Sequence, residues 1–204
     1  MPTNALDARV GLDARAVAAS LRALDTWSPG AAHRPTPCAG WNLADLVAHM
    51  TVQQRGFAAA MAGRPTTVAD WEPGPSADPL ADYAAACDDV LAAFAAVTDP
   101  AAPVYLPEIR SEPVPAATAI GFHLVDNVVH AWDVAKSLGV PVGLDDDVVQ
   151  AGLEVARRVP DGPERDRPGA AFVHALSAVE GASALDETLL LLGRDPGWSA
   201  STSV

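Results

Sequence analysis

Lysine, cysteine and aromatic residues are scarce in this sequence, and no apolar run is long enough for a membrane. Lysine occurs once, at Lys136; 13 Lys+Arg face 26 Asp+Glu, for a formal charge of −13. So acidic a surface repels phosphate backbones and anionic lipids, which makes nucleic acid and membranes poor partners. Diffuse negative charge could attract cations, but does not by itself define a metal site. Two cysteines, Cys38 and Cys87, with no CxxC spacing, are too few for a disulfide framework. They suit a reducing cytoplasm. Cys87 stands beside Asp88 and Asp89. With no cation next to it in sequence to lower its pKa, it reads as an inert thiol. Apolar stretches break well short of the ~18 residues a membrane span needs. The opening Met-Pro-Thr-Asn-Ala lacks the basic patch and apolar run of a secretory leader, so a cytoplasmic protein is expected.

What is abundant is aliphatic. Half of the 204 residues are hydrophobic while only 5% are aromatic, so Ala, Leu and Val must fill the core. Ala and Leu favour helices, and the length suits one domain with a short appendage. Apolar spacing predicts a first helix over about 5–27, broken by Ser28-Pro29-Gly30. A connector, 31–41, leads to Asn42, a good N-cap with Asp45 at the third helical position. A second helix follows over 43–61, carrying Leu46, His49, Met50, Gln53 and Phe57 on one stripe. Loop-type composition marks 63–79. Asp78 caps a third helix, 79–97, and a proline-rich loop at 98–115 holds one extended piece at 104–106. A fourth helix covers 116–138, stopped by Gly139. A fifth covers 145–159, and a last covers 184–192. Residues 172–176 read as a short strand or lid edge. Helices joined by loops predict an all-α bundle.

The fourth helix carries the residues with chemistry. Asp126 and His130, four apart, share a face about 6 Å apart along the axis, close enough for both to reach one cation. His49 sits mid-helix on another apolar-faced helix. Two imidazoles and a carboxylate leave coordination positions open, as a catalytic metal site requires. His123 competes, because it lies three residues before Asp126. It is about 10.5 Å along the axis from His130, too far to share an ion with it. Spacing alone leaves 123/126 and 126/130 both open. The plainer reading is a core histidine at 49 and a hydrogen-bonded pair at 126/130. Asp133 is either an outer acceptor for His130 or a bond to another helix. Trp41 and Trp132 read as core, and His33 and His174 as exposed or structural. Asp145-Asp146-Asp147 suits the positive end of a helix dipole better than a metal. Arg55 could bind an anionic substrate group, although a solvated surface arginine is the simpler reading. His123 is the one candidate general base near the pocket.

These runs resemble a known family. Thr36-Pro37-Cys38-Ala39-Gly40-Trp41-Asn42-Leu43-Ala44-Asp45-Leu46-Val47-Ala48-His49 is similar to the first motif of DinB-like metalloproteins of the mycothiol-dependent maleylpyruvate isomerase type. Asp126-Asn127-Val128-Val129-His130-Ala131-Trp132-Asp133-Val134-Ala135 looks like their second motif. The ending Leu189-Leu190-Leu191-Leu192-Gly193-Arg194-Asp195-Pro196, with Trp198, is similar to the tail of a short actinobacterial branch. The resemblance implies a DinB-like four-helix bundle over 1–160, with a C-terminal extension over 161–204 packed on it. It also implies a divalent metal, usually zinc, held by His49, Asp126 and His130, with mycothiol as cofactor or co-substrate. Two departures stand out: the acidic ligand is commonly Glu rather than Asp, and the full isomerase has a further C-terminal domain for which this chain has little room. The expected function is a metal- and thiol-dependent transferase or isomerase acting on a small electrophilic molecule. In it a thiolate would add to an activated double bond or displace a leaving group. Other readings are a non-catalytic DinB-like metal-binding or stress protein, and a divergent enzyme that has lost the metal. A homodimer is also expected, since such bundles pair through helix faces.

Overall fold

The computed structural model describes residues 5–167 and 170–200. It is mostly helical, and the one sheet among these residues has two short strands. Six α-helices follow in order: α1 (Ala5–Leu24), α2 (Leu43–Met61), α3 (Pro79–Ala95), α4 (Ala116–Leu138), α5 (Asp146–Ala156) and α6 (Ala184–Leu191). The all-α expectation holds. Helix α1 packs on α4 and α3, α2 on α3 and α4, and α5 bridges α4 to α6.

Local chemistry sets the boundaries. Asn42 caps α2 through a reciprocal box: its side chain accepts from the Asp45 amide, and the Asp45 carboxylate accepts from the Asn42 amide. That box fixes where α2 begins and so the height of His49, two turns on. Asp78 accepts from the Ala81 amide and starts α3, with Pro79 in the first turn. Gly139 ends α4 at φ 73°, a left-handed turn that side chains resist.

Several expectations shift. Helix α1 stops at Leu24 rather than near Trp27, and α5 at Ala156 rather than Val159, because the last turn of each opens into tighter i→i+3 bonds. The extended piece expected at 104–106 is a two-residue strand, β1 (Pro103–Val104). It pairs antiparallel with β2 (Val114–Pro115), a strand no residue pattern in 98–115 announces. The strand considered at 172–176 is absent; the Leu176 amide bonds the Leu190 carbonyl, and Arg165 bonds the Val173 carbonyl, to hold that segment. Inside the 63–79 loop a 3-10 turn, Val68–Trp71, buries Trp71 against Phe57 and over Gly56. A Cβ on Gly56 would meet the indole at 2.6 Å.

Core contacts also bring the C-terminal residues onto α4. Val125, Val129 and Trp132 of α4 cluster with Ala156, Leu189 and Leu192, and Trp198 packs against them. No helix among the described residues is long and apolar enough to cross a membrane.

Candidate metal centre

The loop before α2 is closed by one hydroxyl. Thr36 Oγ1 donates toward the Cys38 and Trp41 carbonyls and accepts from the Cys38 amide, while Gly40 takes φ 81° to complete the turn. This turn buries the Cys38 thiol and leaves Trp41 37% exposed, its ring centroid 4.8 Å from that of His49. The expectation that Trp41 is core therefore fails. The turn directs it outward, where it walls one side of His49. Trp132 is core, at 2% exposure.

His49, Asp126 and His130 come together. The two imidazoles meet edge to face with centroids 5.3 Å apart. His130 Nε2 lies 3.4 Å from Asp126 Oδ1. His130 Nδ1 donates to Asp133 Oδ2 at 2.9 Å, so its other nitrogen faces Asp126 and His49. No hydrogen bond reaches either ring nitrogen of His49 among the described residues. His49 and the Asp126 carboxylate are half-buried and His130 is buried, so the trio has one face toward solvent.

Electrostatics separates the members. Burial, then the neighbouring His130, pushes His49 down to about 4, so it is a neutral imidazole at neutral pH. Burial opposes the charge of Asp126, but His130 outweighs it and holds that carboxyl down to about 2. Burial likewise opposes a proton on His130, yet Asp126 and Asp133 raise it well above the usual range. Without an ion, a proton on His130 supplies the positive charge that two carboxylates demand.

Behind His130 lies a second layer. Asp133 Oδ2 accepts from His130, from the Cys38 thiol at 3.2 Å and from Arg194 at 3.4 Å; Arg194 also donates to Cys38 Sγ at 3.4 Å. Burial alone would raise the Asp133 pKa, but Arg194 and His130 bring it below the usual value. Of the two readings open for Asp133, the outer acceptor is the one present. Cys38, His130 and Asp133 also offer ligand atoms within 4.8 Å of one another, a possible metal triad. At the rim, Gln53 Nε2, one turn after His49, donates to Glu108 Oε2 at 2.7 Å. Burial, with Asp126 and Glu72 adding to it, raises the Glu108 pKa.

The structure does not bring His123 or Arg55 into this group. His123 is wholly buried between Phe57 and Phe94. Its Nδ1 bonds Asp13 Oδ1 at 2.7 Å and its Nε2 bonds Gln54 Oε1 at 2.5 Å, so neither nitrogen is available to a pocket. Arg55 is exposed and pairs with Asp82 at 3.1 Å. The Asp145–Asp147 run pairs with Arg15 across to α1. Cys87 is buried, and burial pushes its thiol up to about 12, which suits the inert reading. Sequence reasoning missed Cys38, Gln53, Glu108 and Arg194 as members of the site. Gln53 had a visible signal, one turn after His49 on the same stripe, and Cys38 and Arg194 lie inside the runs that carry the resemblance.

A mostly helical chain that sets the His49 ring and the Asp126 carboxylate beside His130, on a partly open face, offers donors for a candidate metal centre. Residues 14–135 match the mycothiol maleylpyruvate isomerase N-terminal domain, and the chain belongs to that family. It is also 28% identical over 166 residues to uncharacterized proteins from two strains of Mycobacterium tuberculosis, covering 78% of this chain and 83% of each relative. No solved structure matches significantly.

Proposed function

We propose that this protein is a metal-dependent enzyme that uses a low-molecular-weight thiol, mycothiol in the first instance, for S-transfer or cis–trans isomerisation of a small electrophilic substrate. In this reading the helices form a DinB-like four-helix bundle, and His49, Asp126 and His130 hold a divalent ion such as zinc. The observation that carries it is the unbonded, neutral imidazole of His49 beside the His130 ring, whose Nε2 lies 3.4 Å from Asp126, on a face open to solvent. That donor set, neutral nitrogen with one carboxylate, fits zinc. Once bound, such an ion supplies a Lewis acid and favours the thiolate form of a thiol at neutral pH.

The chain's own residues have definable tasks. Asp133 fixes the His130 tautomer by accepting its Nδ1 proton, an outer acceptor of the kind that orients metal-binding imidazoles. Trp41 shields one side of His49 from water. Glu108, held by Gln53, stands where a proton could be passed to or from a substrate at the rim. His123 has no such role, because both its nitrogens are bonded in the core.

A second reading uses Cys38, His130 and Asp133 as ligands. It requires breaking the thiol–carboxylate and imidazole–carboxylate bonds, and it sets a cation beside the Arg194 guanidinium, which already lies 3.4 Å from both Cys38 Sγ and Asp133 Oδ2. Like charges at that range repel strongly in a buried setting. The His49 trio is therefore preferred.

The test is elemental analysis of protein purified without added metal or chelator, compared with His49→Ala and Cys38→Ser. About one ion per chain, lost in His49→Ala and kept in Cys38→Ser, is the expected result. Equal metal in wild type and His49→Ala rejects the trio.

A further inference from the structure

Arg194 lies outside the matched domain, in the turn after α6, yet its side chain reaches the centre of the molecule. It is 11% exposed, donates to Asp133 Oδ2, and its Nε has no hydrogen-bond partner among the described residues. A buried guanidinium with an unused donor is costly to keep, so its place needs an explanation beyond anchoring the tail.

The charge count offers one. A divalent ion facing two carboxylates, half-buried Asp126 and fully buried Asp133, would form a neutral centre with no preference for an anion. Adding the guanidinium returns one unit of positive charge. Resting on the reading that His49, Asp126 and His130 hold the ion, we propose that Arg194 sets the charge of the loaded centre. It cancels Asp133 from behind, so that the open face selects an anionic ligand, a thiolate or carboxylate, over a neutral one. Arg194 is thus a positioning residue that acts through charge, touching neither ion nor substrate. Glu108 at the rim is unchanged in every variant below, so its charge drops out of the comparison.

The experiment uses full-length protein loaded with cobalt, whose visible spectrum reports ligand exchange, titrated with azide as the anionic probe and imidazole as the neutral one. Arg194→Gln is expected to keep its cobalt and to bind azide on the order of tenfold more weakly, as loss of one nearby unit charge dictates. Its imidazole affinity should not change. Arg194→Lys keeps the charge and should restore azide binding to near wild type. Asp133→Asn, the opposite change, should bind azide on the order of tenfold more tightly. The double variant Arg194→Gln/Asp133→Asn should return to the wild-type value, a rescue that a merely structural role for Arg194 does not predict. If Arg194→Gln fails to fold, Asp133→Asn and the double variant still decide the matter. Equal azide affinity across these proteins overturns the proposal while leaving the metal site intact. Failure of wild type to take up cobalt, or uptake that survives His49→Ala, overturns the site itself, and this proposal with it.

Discussion

Helix α4 carries two histidines a heptad apart, one paired with Asp13 of α1 and the other with Asp133 of its own helix, and they are built for opposite ends. His123 is sealed. Asp13 and Gln54 take its ring nitrogens, Asn127 donates to its backbone carbonyl, and two phenyl rings close its faces. His130 is half-open: one nitrogen is bonded to Asp133, while the other faces a carboxylate and an unbonded imidazole at the edge of solvent. A buried polar group is stable when every bond is made. A site that must exchange ligands needs some bonds unmade. Completeness of hydrogen bonding, more than burial, separates a structural histidine from a candidate ligand.

The comparison is sharpest under deletion. Asp13→Ala leaves an uncompensated buried imidazole, so it should cost about 3–5 kcal/mol in chemical denaturation. The metal content of whatever remains folded should not change. His49→Ala should behave in reverse, abolishing metal while changing metal-free stability by less than about 1 kcal/mol. If the two variants gave the same pattern, the contrast between the pairs would collapse.

Acid titration gives a second, smaller test. His49 is held down to about 4 against an ordinary 6.5. Between those values the unfolded chain takes up a proton that the folded chain refuses, so metal-free protein should lose stability as pH falls from about 6.5 to about 4. The slope has the sign of more protons bound when unfolded. The total is on the order of 1–3 kcal/mol, and His49→Gln should flatten it. Asp126, held down to about 2, extends the loss below pH 4.

Gly56→Ala tests the wall of the sealed pair. Its new methyl meets the Trp71 ring, which packs on Phe57, and should cost about 1–3 kcal/mol with metal content unchanged. The smallest effect is on the surface. Hydrogen bonds to Asp166 and Asp161 raise the His174 pKa. Proton NMR should find it titrating above 6.5, and Asp161→Asn should move it back down.

Much of this could be read in the sequence, for physical reasons. Helices α2 and α4 match their expected bounds because caps at Asn42 and Gly139 are local chemistry, written in adjacent residues. Asp126 and His130 could be paired from i,i+4 geometry alone, and His49 joined them only through the resemblance. The choice between His123 and His130 was not legible. Asp13 is 110 residues from its partner, and nothing near either residue marks the bond. The same holds for Arg194, 61 residues from Asp133, and for Cys38, 95 residues away. Long-range polar pairing leaves no periodicity behind.

Helix α4 is buried along most of its length; from Leu124 to Ala135 only Asp126 escapes full burial. Its amides should be among the last to exchange with deuterium, at the free energy of global unfolding rather than of local opening. Two of the three proposed ligands then ride on the stiffest rod in the molecule. Motions that admit or release a ligand must come from the other wall, from Trp41 and the short turn that carries it.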